Sequence, residues 1–184
     1  MLSDKDASIL LNIAREAIVN FVNGKDYQPP PREEKSLNER SGCFVTIKQQ
    51  GRLRGCIGNF QSERPLFLEV AEIAVASATK DPRFHPLEKA ELDSFTLEIS
   101  ILSPLEKIDD VEQIEVGTHG IYLEKNFSRG VLLPQVATEY GWDRATFLQQ
   151  TCLKAGLRSN DWQAADTDIY IFSAQIIRES ELEQ

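Results

Sequence analysis

Residues 95–101 have the sequence Phe-Thr-Leu-Glu-Ile-Ser-Ile, in which apolar and polar side chains alternate without a break. A period of two residues is typical of a half-buried strand with one wet face. Before it, β-branched and aromatic side chains over residues 43–48, followed by Gln50-Gly51, predict a strand that enters a hairpin. After it, residues 121–133 predict a second hairpin around a glycine-containing turn, and residues 169–177 predict a last strand.

Three helices are predicted from apolar side chains that recur at helical spacing. Ser3 resembles an N-cap for the first helix, and Pro65, after Ser62 as a cap, fits the first turn of the second. The proline-rich stretch between residues 25 and 40 predicts an extended loop across the surface. The predicted helices cover residues 9–22, 66–78 and 145–153, the last with Gly156 as its C-terminal stop.

Hairpin strands with helices between the groups predict an α+β fold rather than repeating parallel βαβ units. With 184 residues, the chain is long enough for one core or for two small cores in contact. We therefore expect a single domain over residues 1–184, with mainly antiparallel or mixed sheets and flanking helices.

The composition narrows the classes of partner. Twenty Lys and Arg residues against 29 Asp and Glu residues give a formal charge of −9, which disfavours non-specific binding to nucleic acid or anionic lipid. No apolar run approaches the roughly 18 residues that a membrane span needs. Cys43, Cys56 and Cys152 are widely spaced, as expected of free thiols in a reducing, cytoplasmic setting. With two histidines in the chain, no metal site is predicted, and the cofactor is left open.

The segment Arg54-Gly55-Cys56-Ile57-Gly58 is the one that we expect to carry function. Gly55 and Gly58 allow positive φ and a close approach of the backbone to a ligand, so the N–H groups of this loop are predicted to face an anion. Arg54 adds a bidentate donor for a carboxylate or phosphate. The alternative is a β-bulge whose glycines only permit a bend.

Cys56 is a candidate nucleophile, because Arg54 and the N–H groups of the loop would favour the reactive thiolate. His119, which precedes Gly120, is the candidate base for this thiol. The alternative is that Cys56 is a small core residue, as a free cysteine between apolar neighbours usually is.

Two turns add candidates for binding an anionic substrate. In Asp81-Pro82-Arg83-Phe84, Asp81 is predicted to form an Asx-turn while Arg83 projects into a cleft, and the alternative is a simple helix stop. In Leu133-Pro134-Gln135, a strand ends and a short helix begins, which predicts free N–H groups near Gln135. The alternative there is an ordinary strand-to-helix turn.

Five strings of residues, in this order and spacing, resemble the AMMECR-one domain family. The resemblance extends from about Gly42 to Phe172, and the string Leu-Arg-Gly-Cys-Ile-Gly at residues 53–58 matches the hallmark of the family. Each string is weak alone, whereas the ordered set is highly specific and resembles a free-standing archaeal or bacterial member. The strings cover residues 51–58, 81–84, 116–120, 132–137 and 152–157.

The resemblance implies a larger and a smaller subdomain, with the characteristic residues of the family near a cleft between them. It implies no established activity, but it does imply association with Memo-like and radical SAM proteins of a shared pathway. The positions to test are Arg54, Gly55, Cys56, Gly58, Asp81, Arg83, His119, Gly120 and Gln135.

Three hypotheses about function follow. The first is an enzyme that acts on a small anionic or carbonyl-bearing substrate in a cleft around residues 54–58. The second is a non-catalytic binding or adaptor module that works with Memo-like or radical SAM pathway proteins. Nucleic-acid modification or binding ranks third because of the negative charge.

Overall fold

The computed structural model describes residues 2–182, with side chains described for residues 2–180. The chain divides into two compact units. The first consists of Met1–Leu102 and Gln175–Gln184, and the second consists of Ser103–Ala174. Within residues 2–182, no helix has the length and apolar character that crossing a bilayer requires.

Helices and antiparallel strands make up both units, so the predicted α+β class is confirmed. The first unit contains α1 (Asp4–Val22), α2 (Lys35–Asn38), β1 (Cys43–Gln49), β2 (Arg52–Asn59), α3 (Leu66–Thr79) and β3 (Phe95–Leu102). The second contains β4 (Glu106–Ile108), β5 (His119–Lys125), β6 (Ser128–Leu132), α4 (Pro134–Glu139) and α5 (Arg144–Lys154). The last strand, β7 (Asp168–Arg178), begins in the second unit and ends in the first, where α6 (Glu179–Leu182) follows.

In the first unit, strands β2, β1 and β3 lie side by side, and α3 packs on β1 and β2. Val45 and Ile47 of β1 are fully buried and point toward the helices, whereas Thr46 between them is half-buried on the opposite face. Helix α1 packs against α3 and begins at Ser3, whose hydroxyl accepts the Asp6 N–H as predicted.

The start of α3 differs from the prediction. Pro65 is the residue before the first turn, not part of it, and the Ser62 side chain does not cap the helix. Instead, the Ser62 hydroxyl accepts the Arg64 N–H and donates to the buried Glu69 carboxylate at 2.8 Å. The stretch before β1 also differs, because it contains the short helix α2, whose Leu37 is fully buried. Residues 25–34 form the predicted loop, with exposed or half-buried side chains, and Leu37 anchors the end of the stretch in the core.

The C-terminal segment completes the first unit through Glu179. The Glu179 carboxylate accepts two bonds from the Arg15 guanidinium, at 2.8 and 2.7 Å, and one from the Leu97 N–H at 2.7 Å. Arg15 also donates to the Phe95 carbonyl oxygen. Side chains of the first helix and the last segment thus satisfy backbone groups of β3.

In the second unit, β5 pairs with both β6 and β7, and α5 packs on β5 and β6. The predicted hairpin and the predicted stop after α5 are both present, but the hairpin turn is shorter than the predicted 126–130, because β6 begins at Ser128 and contains Gly130. Asn126 has φ 55° between β5 and β6, and Gly156 has φ 75° after the end of α5. Asp143 caps α5 by accepting the Thr146 N–H at 2.7 Å.

Candidate functional site

Residues 54–58 lie within strand β2 and not in a loop, which corrects the prediction. Neither Gly55 nor Gly58 has a positive φ. The turn before β2 is formed by Gln50 and Gly51, with φ values of 50° and 74°. The pairing of β1 with β2 shifts by one residue between Ile47–Gly55 and Lys48–Leu53. Arg54 is the extra residue, so the alternative of a β-bulge is confirmed at this position, and a bulge redirects the side chain that it carries.

The two glycines of β2 are required by close packing. A Cβ atom on Gly55 would lie 2.2 Å from the Ser77 carbonyl oxygen of α3. A Cβ atom on Gly58 would lie 2.3 Å from the Phe44 ring of β1. The predicted close approach of the backbone is therefore present, but the neighbouring groups are α3 and β1 of the same unit and not a ligand.

The amides of Cys56 and Ile57 are bonded within the first unit. The Cys56 N–H donates to an Asp81 carboxylate oxygen at 2.8 Å. The Ile57 N–H donates to the Ser77 hydroxyl at 3.0 Å, and this hydroxyl donates in turn to the Val45 carbonyl oxygen at 2.8 Å. Ser77 thus stands between the paired residues 45 and 57 of β1 and β2. These amides do not form the anion site that was predicted.

Asp81 is the buried acceptor around which this part of the unit is organised. Its carboxylate accepts bonds from the Cys56 N–H, the Arg83 N–H at 3.1 Å, and the Arg83 Nε and Nη2 atoms at 2.9 and 2.7 Å. The Arg83 bonds, aided by the two N–H bonds, outweigh burial and hold the Asp81 pKa far below its usual range. The bond from the N–H two residues on is that of an Asx-turn, so this prediction is confirmed.

Arg54 is held inside the first unit rather than presented to a ligand. Its guanidinium donates to both Glu91 carboxylate oxygens, at 2.7 and 3.0 Å, and to the His85 carbonyl oxygen at 3.0 Å. The side chain is 15% exposed, and the fork that was predicted to bind an anion is filled by Glu91. Bonds from Arg54 lower the Glu91 pKa against the opposing effect of burial.

Cys56 differs from the other two cysteines in its exposure and its neighbours. Cys43 and Cys152 are fully buried, and burial raises both thiol pKa values, that of Cys43 to about 12. Cys56 is half-buried, and its Sγ lies 3.3 Å from the Thr46 hydroxyl oxygen. Arg83 Nη2 lies 3.5 Å from the Cys56 carbonyl oxygen. The Arg83 pKa is raised first of all by Asp81 and further by the Cys56 sulfur when it is charged.

Arg83 presents part of its guanidinium to solvent, since its side chain is 54% exposed. Its Nε and Nη2 atoms are used by Asp81, and no acceptor in residues 2–180 is bonded to Nη1. The Phe84 ring lies near two guanidinium groups, with its centroid 5.9 Å from the Arg54 Cζ and 5.6 Å from the Arg83 Cζ. Cys56, Thr46 and Arg83, together with Phe84, define what we call the Cys56 surface.

In the second unit, His119 begins β5, and its Nδ1 accepts the Glu115 N–H at 3.2 Å. In a neutral imidazole, this arrangement places the proton on Nε2, so the free nitrogen is a donor. His119 borders a small hollow of about 90 Å³ that Glu106 and Ser173 also line. A role for Nε2 as a base would require the opposite tautomer.

Gly120 and Gln135 complete the candidates of the second unit. A Cβ atom on Gly120 would lie 2.3 Å from the Phe172 ring, so packing within the unit accounts for this glycine. Pro134 is at the start of α4 as predicted, and Gln135 follows it. The buried Gln135 Oε1 has no hydrogen-bond partner among the described residues. Gln135 therefore keeps an unused acceptor.

The structure thus brings Arg54, Gly55, Cys56, Gly58, Asp81 and Arg83 together around β2, and it places His119, Gly120 and Gln135 in the second unit. In residues 2–182, no group of three or more His, Cys, Asp or Glu side chains is arranged to hold a metal ion. Hollows of about 540 and 550 Å³ lie elsewhere and are lined by none of the predicted residues.

Sequence reasoning missed Thr46, Ser77 and Glu91. Ser77 had a detectable signal, because it is a polar residue at a core-facing position of α3, three and four residues after the buried Ala74 and Ile73. Thr46 and Glu91 carried no such signal, because their partners are set by strand register and by a contact 37 residues apart.

The whole chain is similar to proteins of archaea and bacteria. It is 41% identical to a protein of Methanothermobacter thermautotrophicus, with 97% of this chain and 96% of that protein covered. It is 38% identical to a protein of Aquifex aeolicus, with 96% of this chain and 94% of that protein covered. The crystal structure of an uncharacterized protein, PH0010, from Pyrococcus horikoshii superimposes with a TM-score of 0.86 at 38% identity, covering 95% of this chain and 92% of that one.

A family model also matches, over residues 11–177, and it contains every position that the sequence singled out. The match covers more than half of the chain, and the relatives align with almost all of it. The chain therefore belongs to the AMMECR1 (AMMECR-one) family.

Proposed function

We propose that the chain is an enzyme that acts on a small anionic, carbonyl-bearing substrate at the Cys56 surface. The observation that carries this proposal is the environment of Cys56. It is the least buried of the three cysteines, a hydroxyl lies beside its sulfur, and a partly exposed guanidinium lies beside its backbone. Partial exposure distinguishes this thiol from the two buried ones, and reactive cysteines are partly exposed.

The chemistry that fits this arrangement is reversible addition of the thiol to a carbonyl carbon. A bond forms between Sγ and the carbon, the π bond of the carbonyl breaks, and the thiol proton ends on the former carbonyl oxygen. Atoms and electrons balance without an oxidant or a reductant. Arg83 Nη1 is the donor for the anionic group of the substrate, as a single contact and not as a fork, because Asp81 occupies the fork.

The other predicted residues take supporting roles in this proposal. Arg54, Asp81, Gly55 and Gly58 build the strand and turn that hold Cys56 and Arg83. His119, Gly120 and Gln135 lie in the second unit and stay predictions from the sequence. A cytoplasmic setting, in which thiols stay reduced, suits a reactive Cys56.

Protection of Cys56 from alkylation tests the proposal. Glyoxylate and pyruvate, which are small anions with a carbonyl group, serve as probes, and iodoacetamide labelling is followed by intact mass. We expect either probe to slow labelling of the wild-type protein at least threefold at millimolar concentration, and Arg83→Gln to abolish this protection. Arg40→Gln is the matched control, because Arg40 is an exposed arginine paired with Glu63 in the same unit.

Equal labelling rates with and without both probes would contradict the proposal, and so would full protection in Arg83→Gln. Cys56→Ser provides the blank, since the buried Cys43 and Cys152 should not react in the folded protein.

A second candidate function is an adaptor for Memo-like or radical SAM pathway proteins. The observation that favours it is the Phe84 ring near Arg54 and Arg83, because aromatic and arginine side chains dominate the binding energy of many protein interfaces. Capture of such proteins by the wild-type chain and its loss in Arg83→Ala would support this function. Undiminished capture by Arg83→Ala would exclude this surface.

Nucleic-acid binding ranks third, and a low-salt titration with tRNA and single-stranded DNA tests it.

A further inference from the structure

Thr46 occupies the middle of a polar row on the sheet face opposite α3. In the antiparallel register, Thr46 of β1 is paired with Cys56 of β2 on one side and with Glu98 of β3 on the other. Cβ atoms of directly paired residues lie about 5 Å apart on the same face. On this face, the Thr46 side chain therefore lies between the Cys56 side chain and that of Glu98.

The charge at the far end of this row is already compensated. One Glu98 carboxylate oxygen accepts bonds from Lys48 and Arg178, each at 2.9 Å. Burial alone would raise the Glu98 pKa, but these two cations outweigh it and lower the pKa. Glu98 is thus held as an anion by two partners, and this limits its repulsion of a thiolate two strands away.

The Thr46 side chain can hold the Cys56 sulfur in one direction through a hydrogen bond. A β-branched side chain is restricted at χ1, so the hydroxyl is held in place more firmly than that of a serine. At 3.3 Å from Sγ, the hydroxyl donates a hydrogen bond to the sulfur, and such a bond is stronger when the sulfur is charged. Arg83 and Asp81 form an ion pair against the Cys56 backbone, where Asp81 accepts the Cys56 N–H and Arg83 Nη2 lies 3.5 Å from the carbonyl oxygen, so their charges largely balance there.

We propose that Thr46 is the positioning residue of the Cys56 thiol, which fixes the direction of the sulfur through its hydrogen bond. This assignment rests on the proposed function only for its role in turnover, because the reactivity of the thiol is a property of the free protein. Thr46 acts through Cys56 and makes no contact of its own with a substrate.

The test is the pH dependence of Cys56 alkylation by iodoacetamide, without any substrate, in the full chain. Thr46→Val keeps the shape and removes the hydroxyl. We expect the labelling rate at pH 7 to fall about tenfold, which is the effect of losing one hydrogen bond to a charged group. Thr46→Ser should recover most of the wild-type rate, because it restores the donor.

Thr96→Val is the matched control. Thr96 lies on the same sheet face, is exposed and is paired with Lys48, so its loss should leave the profile unchanged. Circular dichroism and urea unfolding of each variant establish that it is folded. A Thr46→Val profile equal to that of the wild type, or a Thr46→Ser profile equal to that of Thr46→Val, would overturn the proposal.

The outcomes for Thr46 and for the substrate are separable. If glyoxylate and pyruvate give no protection but Thr46→Val lowers the labelling rate, the proposed function fails and the role of Thr46 stands. If protection is seen and the rate does not fall, the reverse holds.

Discussion

The two units differ in how far their motif residues are used within the fold. In the first unit, the Arg54 guanidinium is bonded to the Glu91 carboxylate. The Asp81 carboxylate is bonded to the Arg83 guanidinium and to two backbone N–H groups. In the second unit, the Gln135 Oε1 has no partner among the described residues, and the Nδ1 of His119 is bonded to backbone. A motif residue can therefore use its polar groups to hold the fold together or keep them available to a ligand, and only its contacts show which.

The glycines show the same contrast, and the largest effect is expected there. Gly55 meets the rigid carbonyl of Ser77, whereas Gly120 meets the Phe172 ring, which is a side chain. We expect Gly55→Ala to lower the free energy of unfolding by about 3 kcal/mol or more and Gly120→Ala by about 1 to 2 kcal/mol. Urea unfolding measures both. Equal losses would show that the two close approaches are equally rigid.

Asp81→Asn comes next. The variant leaves the Arg83 guanidinium without its carboxylate and weakens the bond to the Cys56 N–H, and we expect a loss of about 2 kcal/mol at pH 7, because Arg83 is partly exposed. A pKa that is lower in the folded chain stabilises the fold above the unfolded value of about 4. This contribution is lost as the pH falls from about 4 toward the folded value, so the variant and the wild type should converge there in urea unfolding. A constant difference down to pH 2 would contradict this account.

The Arg54–Glu91 pair should give the smallest of these effects. We expect a coupling energy of about 1 kcal/mol in a double-mutant cycle of Arg54→Ala and Glu91→Ala, because both side chains are mostly buried and the contact is bidentate. If Arg54 only holds the fold together, glyoxylate protection of Cys56 persists in Arg54→Lys. Loss of that protection in a stable Arg54→Lys protein would instead make Arg54 a ligand contact.

Much of the fold could be predicted because its signals are local. The two-residue period of β3, the cap at Ser3 and the stop at Gly156 each depend on a few neighbouring residues. The short elements α2 and β4 escaped prediction, since three or four residues carry too little periodicity. The Asx-turn at Asp81 was found for the same reason that the caps were found, as its bond spans two residues.

The sequence by itself determined the α+β class, the family and six of the residues that meet around β2, whereas Thr46, Ser77 and Glu91 were missed. Tertiary structure alone decided their roles, because these depend on contacts between distant residues. The bulge at Arg54 turns its side chain to Glu91, the α3 backbone fills the space beside Gly55, and register places Thr46 beside Cys56. Local pattern fixes which way a strand faces, whereas partners across the sheet are chosen only when the whole unit packs.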